Sequence, residues 1–289
     1  MQVFTAIPKA GRTNWLPNVA GQMGRIIQSG ANDYAAGISR RSIGISRTLN
    51  RRVAVIATAW AIVFLLGSIP RVIFAPVPVN DAADLAALAL PYLLIAAAPL
   101  AGLCLAERSF PAGTLTAQPE IRLAFYGKWR RLSVTEARAD PAFGPTGFMA
   151  SLLIGLLLNV VVRSFEFLVA VPPLNGHAPP WGQALFHMMA ADVIVMGFFY
   201  MVCFVLALRS VPYFPRMLLF AWGLDVVMQL LIAQQVAATA GLPAEVADAL
   251  QTLLRGNIDK VLISAAVWLP YLILSNRVNV TYRQRVRCG

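Results

Sequence analysis

Six times along this chain apolar residues run on for the length of a lipid hydrocarbon core. The runs lie at about 53–72, 83–106, 147–172, 183–208, 214–236 and 258–276. A helix needs roughly 17–25 residues to cross a bilayer, so each run predicts one spanning helix. The sixth is the least clean, because Asp259 and Lys260 cut its start. Pro70, Pro91, Pro99 and Pro270 sit inside or at the edge of runs. Spanning helices tolerate proline when neighbours satisfy the freed carbonyls. The pattern predicts an all-α, polytopic membrane protein.

Composition agrees. The 289 residues are 58% hydrophobic and only 13% charged, with mean hydropathy +0.66. A water-soluble domain of this size needs a far more charged surface. The net charge of +11 comes from 21 Arg and 3 Lys against 13 acids. Such a balance suits nucleic acid or a membrane surface. Here the basic residues flank the apolar runs, which selects the membrane and excludes nucleic acid as partner. The segments 1–52, 107–146 and 277–289, with the turn after the fourth run, hold 20 of the 24 basic residues. The alternate segments hold Arg71, Arg255 and Lys260. By the positive-inside rule both termini face the cytoplasm and the number of spans is even. The chain then divides into a basic arm (1–52), a two-span unit (53–106), a basic linker (107–146) and a four-span bundle with a basic tail (147–289). The first apolar run begins near residue 53, so it is expected to remain as a span and not to be cleaved as a signal. Cys104, Cys203 and Cys288 are scattered and form no disulfide framework.

Two basic segments read as interfacial. In 120–133, Ile121, Phe125, Trp129 and Leu132 recur at helical spacing, with Arg122, Arg130 and Arg131 on the other side. That pattern predicts an amphipathic helix in the headgroup layer, drawn to anionic lipid. In the arm, Trp15, Val19, Met23, Ile26, Tyr34 and Ile38 suggest a surface helix or docking segment, against which stand six glycines.

Charge inside a span costs roughly 2.5–3.5 kcal/mol per residue on insertion scales, so each instance needs a reason. Arg163, Glu166, Asp192 and Asp225 are the instances here. Ser151, Gly155, Asn159, Arg163 and Glu166 follow at steps of four and three, giving one small and polar helix face. With a rise of about 1.5 Å per residue, Arg163 and Asp192 each lie about 5 Å to one side of the midplane. Glu166 lies about 10 Å, and His187 about 13 Å, to that side. Arg163 is therefore expected to pair with Asp192, and Glu166 to meet His187. Residues 187 and 192 are about 140° apart on a helix, so both cannot face the third span equally. Asp225 lies near the middle of the fifth span, one turn before Gln229. One positive and three negative charges cannot all persist unbalanced in low dielectric, so a proton, a cation or a partner is implied. The bland alternative is an ion pair that locks two helices.

His177, in a proline-rich loop, makes no metal signal with a second distant histidine. Asn279-Val280-Thr281 matches a glycosylation acceptor but falls on the cytoplasmic side. Phosphate-binding, nucleophile-elbow, zinc-protease and dinucleotide motifs are absent. No catalytic residue, metal or cofactor is expected. Trp268 and Tyr271 are expected to anchor the last span at the interface, with Arg277, Arg283, Arg285 and Arg287 holding its end as a stop-transfer signal or a contact surface for a partner.

The C-terminal stretch Trp268-Leu-Pro-Tyr271-Leu-Ile-Leu-Ser275-Asn-Arg277-Val278-Asn-Val-Thr281-Tyr282 resembles the end of the bacterial membrane family Domain of Unknown Function 2569. Those proteins close with W-x-x-Y-x-x-x-S-x-R-V-K-x-T-F; Asn279 and Tyr282 depart from that pattern. Leu208-Arg209-Ser210-Val211-Pro212-Tyr213-Phe214-Pro215 is similar to the turn between that family's middle spans. The start of span three lacks the family's Gly-Gly-Trp-Leu. The resemblance covers about 143–285 and implies a four-helix unit in a bacterial inner membrane, without an activity.

Three functions follow as expectations. The first is a non-enzymatic accessory or structural subunit of a membrane complex, acting through helix packing and basic surfaces on lipid and a membrane-protein partner. The second is a small proton- or cation-coupled transporter or channel. The third is a membrane enzyme acting on a lipid-linked substrate.

Overall fold

The computed structural model describes Gly44 and residues 48–114, 116–119 and 128–288. Most of the arm, and Arg122 and Phe125 of the linker, lie outside the described residues. Six long apolar helices carry the fold: α1 (Thr48–Ile73), α2 (Ala82–Ser109), α4 (Phe148–Ala170), α5 (Pro180–Leu208), α6 (Phe214–Ala237) and α7 (Ala244–Leu274). Each is long and apolar enough to cross a membrane. Short elements complete the chain: strand β1 (Trp129–Arg131), helix α3 (Val134–Ala139), helix α8 (Asn276–Arg283) and strand β2 (Arg285–Arg287).

Breakers and caps set the turns. Asp81 caps α2 by accepting from the Asp84 backbone N–H at 2.8 Å. Prolines open α5 and α6 within their first two positions, where the missing N–H costs nothing. Gly241 takes a left-handed backbone (φ +78°) just before α7.

Helix α5 is the hub. In its most apolar window 72% of residues are buried, against 11% in α7. It packs on α2, α4 and α6, and α7 packs on α6. The α2–α5 seam is close because it is built on small and ring residues: a Cβ on Gly102 would stand 2.7 Å from the Phe198 carbonyl oxygen. The two larger hydrophobic clusters each contain residues of α1, α2, α4, α5 and α6, and a small third one joins Leu132, Ala137 and Val280. The first two spans thus share their core with the later ones. Phe64, Tyr92, Phe167 and Phe186 interlock in the second cluster with ring centroids 5.8–6.4 Å apart.

The end of the bundle that carries α8 is capped by a folded tail. Tyr282 donates its hydroxyl to the Ala207 carbonyl at 2.8 Å, and Val278 through Arg283 are all buried. Arg283 donates to the Leu272 carbonyl at 2.6 Å and to Asn279 Oδ1 at 3.1 Å; Arg285 donates to the same oxygen at 2.9 Å. Burial, then the charges of Arg285 and Arg216, push the Arg283 guanidinium down to about 10. Arg209 joins the end of α2 through Glu107 at 2.7 Å and the Phe110 carbonyl at 2.7 Å. Strands β1 and β2 pair antiparallel, and Arg285 lies 4.4 Å from the centre of the Trp129 ring.

These contacts correct three expectations. Trp129, Arg130 and Arg131 stand on a strand, not on an amphipathic helix, because β2 offers a ladder that outweighs local periodicity. Arg283 is buried and is no surface contact residue; the Leu272 carbonyl near the end of α7 and the Asn279 side chain recruit it inward. The sixth span begins at Ala244, fourteen residues before the expected 258. At 31 residues α7 is about 46 Å long, so it exceeds the roughly 30 Å hydrocarbon core and its first turns tolerate Glu245, Asp248 and Arg255.

The opposite end is tied by side chains. Arg71 donates to the Val171 carbonyl at 2.8 Å, and Asn175 to the Pro78 carbonyl at 2.7 Å. His177 Nε2 lies 3.0 Å from Asp84 Oδ2 and 3.2 Å from Asn80 Nδ2.

Candidate functional site

Three helices meet at one guanidinium. Arg163 of α4 sits about one turn past the middle of its helix, and Asp192 of α5 and Asp225 of α6 lie near the middles of theirs. Arg163 Nε donates to Asp192 Oδ2 at 3.1 Å, and Nη2 to Asp192 Oδ1 and Oδ2 at 2.9 and 2.8 Å. Its Nη1 donates to Asp225 Oδ2 at 2.8 Å and its Nη2 to Asp225 Oδ1 at 2.7 Å. The planar fork of arginine suits this double clamp, where a lysine ammonium offers one point charge. Both aspartate side chains are 1% exposed.

A polar shell surrounds the three charges. Tyr200 donates its hydroxyl to Asp225 Oδ2 at 2.8 Å. Gln229 donates to Asp192 Oδ1 at 3.0 Å, and Asn257 of α7 donates to Gln229 Oε1 at 3.1 Å. Four helices are thereby joined through one hydrogen-bonded network. Its formal charge is minus one, since a single cation faces two carboxylates.

The network borders a cavity of about 260 Å³ between α4 and α7. Gly155, Asn159, Arg163 and Glu166 line it from α4; Tyr200, Trp222 and Asp225 line it from α5 and α6; Asn257, Lys260, Ser264 and Trp268 line it from α7. Side-chain pairs bridge α4 and α7 on either side of it. Phe148 stacks on Trp268 with centroids 4.7 Å apart and meets Tyr271 edge-on at 5.0 Å. Toward the other end, Lys260 Nζ donates to Glu166 Oε1 at 2.9 Å, with both side chains largely exposed.

Most of the polar residues singled out in the sequence converge here: Asn159, Arg163, Glu166, Asp192, Asp225 and Gln229. The expected Arg163–Asp192 pair is present. His187 is not in the network. It is exposed, and its Nδ1 lies 2.7 Å from the Gln183 carbonyl in its own helix. Glu166 takes Lys260 of α7 instead, while the N-terminal half of α5 meets that part of α4 through Phe186 and Phe167. Of the stripe on α4, Ser151 turns back to the Phe148 carbonyl and Gly155 onward faces the cavity. Trp268 and Tyr271 pack on Phe148 as part of the α4–α7 seam, and Arg277 donates to Thr146 Oγ1. Asn279 is fully buried, which closes it to glycosylation. Tyr200 and Asn257 were missed. Tyr200 stands eight residues after Asp192, on the same helix face, and that spacing was the available signal. Among the described residues no group of three or more His, Cys, Asp and Glu is placed to hold a metal ion.

No protein-family profile matches the chain. Nor does any curated protein or solved structure match it. The short C-terminal resemblance to the Domain of Unknown Function 2569 family remains a resemblance.

Proposed function

We propose that this chain is a small multi-pass transporter, coupled to protons or a small cation, whose exchangeable charge resides at Asp192 and Asp225. The observation that carries this reading is the cavity that reaches a buried cluster of one arginine and two aspartates. A closed ion pair that only locks helices needs equal charges and no cavity. Here one negative charge is left over at mid-bundle, where leaving it uncompensated is costly. A proton or a cation arriving through the cleft compensates it. The basic flanks support both termini in the cytoplasm, and the short C-terminal resemblance supports a bacterial inner membrane.

An accessory subunit is the second reading. It draws support from the exposed apolar faces of α1 and α7 and from the basic cap at the α8 end. The test separates the two. Purified protein is placed in liposomes containing a pH-sensitive dye, and proton flux is followed under an imposed potassium or sodium gradient. Flux that falls at least tenfold in Asp225→Asn supports transport. Flux equal to that of protein-free liposomes, or unchanged in the variant, overturns it.

A further inference from the structure

We infer that the ligand of the cleft is an amphiphile with a cationic amine head, which enters sideways from the bilayer between α4 and α7. The inference rests on the transport reading of the same site and names its substrate class.

The way in is lateral. A Cβ added to Gly155 would meet nothing within 4 Å, so the cleft is open at that point of α4. The surface around it is exposed and apolar: Ile154, Leu158 and Val162 on α4, Ile263 and Val267 on α7. In a bilayer, lipid covers such a surface. The Phe148–Trp268 stack and the Glu166–Lys260 pair bridge the two helices on either side of the cleft, so the opening lies between those two contacts along the apolar part of α4 and α7.

Size, charge and ring chemistry then choose the head. Pockets that enclose a whole small molecule run to about 300–1,000 Å³, and this cavity, at about 260 Å³, is smaller. It holds a polar head while a chain stays in lipid. Arg163 and Lys260 stand against Asp192, Asp225 and Glu166, which leaves room for one further positive charge. Trp222, Trp268 and Tyr200 line the walls, and aromatic faces attract an ammonium group within about 6 Å.

The full chain in lipid nanodiscs is labelled with dodecylamine bearing a photoreactive diazirine at mid-chain, and the adducts are mapped by mass spectrometry. Adducts concentrated on α4 and α7, removed by excess dodecylamine but not by laurate, are expected. Asp225→Asn should cut them at least tenfold. Gly155→Leu, which fills the opening with a good helix former, should also remove them while the melting temperature holds. Adducts spread evenly over all lipid-facing helices, or equal competition by laurate, would overturn the inference. The two readings fail separately: even labelling with Asp225-dependent proton flux sinks the amphiphile alone, and localised labelling without flux sinks transport alone.

Discussion

Replacing Arg163 by glutamine should do more harm than any other single change in the bundle, and removing a second charged group should then repair part of it. Arg163 holds two buried carboxylates at 2.7–2.9 Å through Nη2. Taking away one partner of a buried ion pair costs about 3–5 kcal/mol, because the other charge is left without compensation. In Arg163→Gln two such charges remain and repel each other. Asp225→Asn alone leaves the Arg163–Asp192 pair intact and brings the cluster to neutrality. Its cost is two hydrogen bonds, since either carboxylate oxygen that becomes an NH2 accepted from two donors, about 2–3 kcal/mol. In the double variant only Asp192 stays unpaired, so it should be more stable than Arg163→Gln by about 2 kcal/mol or more. The assay is reversible unfolding in mixed micelles, followed by tryptophan fluorescence, through all four corners of the cycle. Strict additivity, with the double variant less stable than Arg163→Gln, would refute the electrostatic account of this site.

Further outcomes are expected elsewhere. Gly102→Leu should force α2 off α5, since a Cβ alone already stands 2.7 Å from the Phe198 carbonyl oxygen; a loss of about 1–3 kcal/mol or more in unfolding free energy is expected, and a wild-type melting curve would contradict the packing described. Arg283→Ala should release the tail, with trypsin cutting at Arg285 and Arg287 much faster than in the wild type; an unchanged digestion pattern would show that the cap stands without that guanidinium. Helix α3 should loosen in acid. The Ser133 backbone and hydroxyl hold the Glu136 carboxyl below its usual range, so the capping box is complete above the ordinary glutamate pKa and is lost as pH falls through the lowered value. Amide exchange in its first turn, measured against pH, checks this; protection that persists in strong acid would contradict it.

The spans were legible because hydrocarbon length and hydropathy are properties of the chain itself, and six helices stand at the six runs. The start of α7 was misplaced because Asp259 and Lys260 looked like an edge. Both lie within a helix that outruns the bilayer, so charge there marks no boundary. That error also hid Asn257, one residue before the supposed start. Counting depth along α4 and α5 found the Arg163–Asp192 pair, since both helices run through the same layer in opposite directions. Depth does not give rotation about the axis. The arrival of Asp225 on the same guanidinium, and of Lys260 on Glu166, depends on how α6 and α7 are turned, which is decided by packing across the whole bundle. The strand at Trp129–Arg131 was illegible for a related reason: its partner lies more than 150 residues further on, and local periodicity cannot register it.

The charged cluster also dictates an order of assembly during synthesis. Arg163 leaves the ribosome first, Asp192 follows 29 residues later, and Asp225 another 33. Until α5 emerges, Arg163 has only Glu166, one turn on in the same helix, to offset a cost of roughly 2.5–3.5 kcal/mol above an apolar residue. The α4–α5 hairpin is the smallest piece in which Arg163 has its bidentate partner Asp192, while Glu166 waits for Lys260 of α7. Helix α6 then brings the surplus negative charge, and α7 arrives last with the amide of Asn257. A nascent chain stalled after α5 should sit more firmly in lipid than one stalled between α4 and α5.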